Sequence, residues 1–227
     1  MAIKLKSVLR NQAFTLTFKA LVFGLSLFFY NSQPTLGRGG LFLLIAFWLY
    51  GHPLFNFLSF LPTFLALVFL SFWTGYAGGP LAGLAPWLIS PCFGILLGLK
   101  NLLITNRRYW HYLIVLAASY LAWINFFLLD LSKFFWLKWP LVLLLTYFLF
   151  KDLLPDKVAV IFLCLITGEL LWVISWLPIG FLGSANLLMA ATLFLAEAMA
   201  NKRLIWKNLV LLTGLVSVIL LTSYWQI

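Results

Sequence analysis

Apolar runs follow one another along the whole chain, and each is cut from the next by charges, prolines or glycines. A helix needs about 20 apolar residues to cross the hydrocarbon core of a bilayer. The runs predict spans over residues 13–30, 40–58, 62–75, 81–99, 108–129, 136–150, 158–177, 184–200 and 206–225. The expected fold is therefore an all-α integral membrane protein. It is a multi-pass helical bundle of about nine transmembrane helices, forming a single polytopic membrane domain over residues 1–227.

Spans 2 to 4 are the irregular part. Span 2 crosses Gly51-His52-Pro53, and span 4 carries Pro86 and Pro91. A proline frees a backbone carbonyl, which is tolerated at membrane depth only where protein or water satisfies it. These spans are expected to be kinked or partly re-entrant.

Composition agrees with the pattern. Hydrophobic residues make up 64% of the chain and charged residues 9%, whereas a water-facing surface needs about 25–35% charged residues. The formal net charge of +10 does not indicate nucleic acid, because the basic residues sit in short clusters between apolar runs. With the N-terminus inside, 12 basic residues fall at inner positions and only Arg38, Lys133 and Lys138 at outer ones. Such a bias orients membrane proteins. The expected location is a cell (inner) membrane, with the N-terminus cytoplasmic and the C-terminus outside. The expected partners are the lipid bilayer, anionic headgroups on the cytoplasmic side and a membrane protein. Lys4, Lys6 and Arg10 precede the first run as in a signal peptide. That run is long, however, and no small-x-small cleavage site follows it, so it reads as a retained span.

Chemistry-bearing residues are few. Glu169 stands twelve residues beyond Lys157, ~18 Å along the helix, where an ionisable group is expensive and should face the bundle. Trp172 shares its helical face, and Asn125 and Asn186 are candidate hydrogen-bond partners. The two readings are a proton- or cation-handling carboxylate and a neutral acid bonded to a neighbouring helix. Lys19 and Glu197 fall at similar depth and are a candidate ion pair; snorkelling of Lys19 to the headgroups is the alternative. Lys100, Arg107, Arg108 and His111 form the densest polar cluster and are candidate contacts for a lipid phosphate. Gly79-x-x-x-Gly83 and Gly94-x-x-x-Gly98 have the spacing of close helix crossings.

No HExxH set, GxSxG elbow or phosphate-binding glycine loop occurs, and Cys92 and Cys164 form no CxxC pair. No cofactor, metal or catalytic residue is assigned. The leading function is a non-enzymatic membrane protein that binds lipid or a membrane partner. One alternative is a small-solute permease using Glu169. The other is an intramembrane enzyme acting on a phosphorylated lipid through the Lys100–His111 cluster.

Overall fold

The computed structural model describes residues 2–52, 56, 58, 60–77, 79–128, 135–154, 156–201, 210, 213, 214 and 216–219. These residues form eight long helices: α1 Ala2–Ser32, α2 Leu36–Gly51, α3 Leu61–Ala77, α4 Gly79–Lys100, α5 Arg107–Leu128, α6 Phe135–Phe150, α7 Lys157–Ser175 and α8 Phe181–Asn201. No β-strand occurs among the described residues. Five segments are long and apolar enough to cross a membrane: Gln12–Ser32, Ala82–Lys100, Arg107–Leu128, Lys157–Ser175 and Phe181–Ala200. Leu36–Gly51, Leu61–Tyr76 and Lys138–Phe150 are shorter apolar helices. The ninth sequence span, 206–225, falls largely outside the described residues.

Span 2 is corrected at both ends. Thr35 begins the helix early, its hydroxyl accepting from the Arg38 amide at 3.4 Å. The helix stops at Gly51, with His52 as its cap. Arg38 is consequently not a loop residue. It lies in the first turn of α2, and its guanidinium reaches back to the Phe29 carbonyl (3.4 Å) and the Ser32 hydroxyl (3.1 Å) at the end of α1. A cation there offsets the negative end of the helix dipole.

The chain divides into two compact units, Met1–Ala118 and Ser119–Ile227, with the boundary inside α5. In the first unit, α1 to α4 alternate in direction. Gly39 of α2 packs on Tyr30 of α1, whereas Lys19 of α1 bonds the far end of α2 at Leu49. Gly75 near the end of α3 abuts Tyr30 and Asn31, while Phe64 at the start of α3 stacks on Tyr50, with ring centroids 4.1 Å apart. Along α4, Gly94 meets Ala20 and Gly98 meets Leu16, a close antiparallel crossing on α1. The Gly94/Gly98 pair thus serves helix packing as its spacing suggests, whereas Gly83 has open space around it. Buried Phe23, Phe42, Phe64 and Phe93 fill the middle.

The prolines of α4 stay within one continuous helix. Pro86 has no N–H for the carbonyl of Ala82, four residues earlier. Asn31 of α1 supplies the missing donor, its Nδ2 lying 2.7 Å from that carbonyl.

In the second unit, α6, α7 and α8 form consecutive antiparallel hairpins. Asp156 caps α7, accepting from the Val158 amide at 3.2 Å. Trp139 of α6 donates its indole N–H to the Gly168 carbonyl at 3.2 Å. The absent side chain at Gly168 admits this approach, since a Cβ there would come within 3.1 Å of the indole. Val160, Leu163, Cys164, Thr167, Leu171 and Ile174 form the buried face of α7. Cys92 and Cys164 are buried free thiols, the small-hydrophobe role expected of them.

Candidate functional site

Two lysines converge on the C-terminal end of α2. The last carbonyls of a helix have no partner within it. Here the residue four positions after Leu49 is Pro53, which has no N–H to offer. The Lys19 ammonium, from α1, takes the Leu49 carbonyl at 3.4 Å and the carbonyl of His52. The Lys100 ammonium, from the end of α4, takes the Tyr50 carbonyl and lies over the Tyr50 ring, 4.5 Å from its centroid. Lys19 is half-buried, and Lys100 is only 1% exposed.

The chain turn after Lys100 fixes its direction. Leu103 N–H bonds the Gly98 carbonyl (3.1 Å) and Leu102 N–H the Leu99 carbonyl (3.3 Å). Leu102 takes a left-handed φ of 62°. This is the Schellman ending of a helix, with leucine where glycine is usual. It places Lys100 in the last turn of α4, pointing back at α2. The neighbouring Asn101 carries a buried Oδ1 with no hydrogen-bond partner among the described residues.

The electrostatics of this end are one-sided. All five acidic residues (Asp130, Asp152, Asp156, Glu169 and Glu197) lie beyond residue 118, so the first unit has eight basic side chains and no carboxylate. The end of α2 supplies roughly half a negative charge against two ammoniums. The backbone carbonyls that accept from them carry no formal charge.

The sequence-derived clusters are redistributed. Lys100 turns inward to α2. His111 is buried, with Nε2 2.9 Å from the Thr63 hydroxyl and its ring edge-on to Phe60 at 5.0 Å. Arg107 and Arg108 are exposed at the start of α5. Lys100 thus serves the end of α2 and His111 the Thr63 hydroxyl, while Arg107 and Arg108 face outward. Lys19 is engaged on α2 within the first unit, while Glu197 is exposed on α8 in the second.

Glu169 is exposed rather than turned toward other helices. It shares the outer face of α7 with Trp172, which stacks obliquely on Trp176, centroids 6.2 Å apart. Asn186 accepts instead from the Tyr120 hydroxyl at 2.7 Å, tying α8 to α5. Asn125 is buried, its Nδ2 donating to the Leu121 carbonyl at 2.8 Å. Neither of these asparagine bonds involves Glu169. Residues overlooked in the sequence were Tyr50, Thr63 and Asn31. The signal for Asn31 and Lys19 was present as prolines four positions after the carbonyls they serve.

Comparison with family models, with curated proteins and with solved structures finds no match to this chain.

Proposed function

We propose that the chain is a multi-pass membrane protein, non-enzymatic, whose first unit binds a phosphate-bearing lipid headgroup where Lys19 and Lys100 converge on α2. One observation carries this reading: two ammoniums share a helix end in a unit that has no carboxylate. An anionic headgroup carries the charge opposite to theirs, and phosphate oxygens accept strong hydrogen bonds from ammonium groups. The exposed Arg107 and Arg108 add to the positive field at the start of α5. The permease reading loses its motive when Glu169 lies on the outer face of α7. The enzyme reading has less support where Lys100 serves the end of α2 and His111 is buried against the Thr63 hydroxyl.

The test is thermal unfolding in detergent with added lipid. A ligand at one hundred times its dissociation constant stabilises by about 2.7 kcal/mol. Phosphatidylglycerol should raise the melting temperature by several degrees and phosphatidylcholine should not. Lys19→Gln should abolish the difference. An equal response to the two lipids, or an undiminished one in the variant, overturns the proposal.

We further infer nine crossings of a cell (inner) membrane, with the N-terminus inside. Support comes from the 12-to-3 partition of basic residues and from the alternation of α1 to α4, which returns α2 and α3 alongside the longer α1 and α4. Reporter fusions after Asn106, Pro155 and Asn201 should read as cytoplasmic, and fusions after Gln33 and Ile179 as external. A cytoplasmic reporter at the C-terminus would remove one crossing.

A further inference from the structure

The outer face of α7 combines an apolar seam with one carboxyl group. Val158, Phe162, Leu165, Trp172 and Trp176 are all exposed, from 40% to 75%, and Glu169 is exposed among them. Their numbers advance by alternating steps of four and three residues from 158 to 176. That is the heptad spacing at which two parallel helices interlock side chains. Apolar residues on such a face need no protein partner in lipid, because acyl chains are as apolar as leucine. Glu169 does need one. It stands twelve residues from Lys157 and six from Ser175, so ~9 Å of helix separates it from the nearer end of α7.

We infer that this face is a homodimer seam in which Glu169 of one copy hydrogen-bonds Glu169 of a second copy. The inference rests on the membrane reading above. Copies inserted in one membrane share one orientation, and a two-fold axis along its normal sets each seam residue opposite its own counterpart at the same depth. Few side chains complement themselves, and a carboxyl group does. As an acid it offers one donor and one acceptor, and two carboxyls sharing one proton are still joined by a hydrogen bond. A single polar residue in an apolar seam fixes register and oligomer state. Trp172 and Trp176 supply large aromatic surfaces beside it. The rival within the chain is Lys138, since its neighbour Trp139 reaches the Gly168 carbonyl and so brings Lys138 near the level of Glu169.

Oxidative cross-linking of the full chain in native membranes separates these cases. In a Cys92→Ala, Cys164→Ala background, Leu165→Cys should give a disulfide-linked dimer. Leu44→Cys, on the exposed face of α2 (72% exposed), should not. Adding Glu169→Gln, which keeps a donor and an acceptor, should preserve the dimer. Adding Glu169→Leu should weaken association by roughly tenfold, the effect of one interhelical hydrogen bond in lipid. Lys138→Met should leave the dimer unchanged. Cross-linking at Leu165→Cys no stronger than at Leu44→Cys overturns the inference. So does a dimer indifferent to Glu169→Leu, or one abolished by Lys138→Met. Failure of the membrane reading itself would appear separately, as protein released from the membranes by alkaline washing.

Discussion

Lys19→Met combined with Lys100→Met should lower the stability of the first unit by roughly 3–5 kcal/mol, measured by thermal or urea unfolding in lipid-free detergent. Each ammonium donates to a carbonyl at the end of α2, and hydrogen bonds involving a charged group are worth about 1.5–3 kcal/mol each. Methionine keeps most of the apolar stem and removes only the donor. The two losses should not simply add. Two like charges on one helix end repel, and either single substitution relieves that repulsion while losing its own bonds. The double variant should therefore cost more than the two singles summed, which a double-mutant cycle reads directly. Arg107→Met and Arg108→Met, at exposed positions, should stay within about 0.5 kcal/mol of the unsubstituted protein. Lys19→Glu should not be rescued by Glu197→Lys, since Lys19 serves carbonyls of its own unit. A double variant as stable as the parent would remove the lysines from any account of this end.

The parts of the fold legible in the sequence are those that charges and glycines punctuate. The apolar run from 158 to 177 corresponds to α7 Lys157–Ser175, and that from 108 to 129 to α5 Arg107–Leu128. In both, charged residues mark the start of the helix. Span 2 starts and ends elsewhere because apolar residues continue past Pro53 and hydropathy alone carries the span beyond Gly51; Thr35 and Pro53 are the better signals. Position along a helix was also legible, because helical rise converts residue number into distance, and Lys19 stands within α1 Ala2–Ser32. Its partner was not legible, because backbone carbonyls at a helix end carry no charge that a sequence displays. Which face of α7 turns inward was equally hidden. With apolar residues on every side, a 3.6-residue period places Glu169 and Thr167 on different faces without saying which is covered. The structure buries Thr167 and exposes Glu169.

Asn31→Leu should destabilise the first unit by up to about 3 kcal/mol, and Pro86→Ala should restore most of the loss. The carbonyl of Ala82 has lost its ordinary helical donor to Pro86 and is held by Asn31 Nδ2 at 2.7 Å. Leucine fills a similar volume but leaves that carbonyl without a donor in an apolar interior, and an unmade hydrogen bond costs more there than a made one contributes. Alanine at position 86 brings back an N–H at the right place on the helix, so the carbonyl no longer depends on α1. Pro86→Ala alone should be nearly neutral or mildly stabilising, since the helix gains a bond and a better helix former. The cycle thus predicts coupling: the Asn31 substitution is costly beside proline and cheap beside alanine. Equal costs in both backgrounds would show that Asn31 acts through some other contact, for instance its packing against Gly75. The same logic links two polar residues of α1. Lys19 and Asn31 each serve a carbonyl four residues before a proline in another helix, Pro53 and Pro86 respectively. The helices whose carbonyls lose a donor to proline pack on α1, which carries a donor for each.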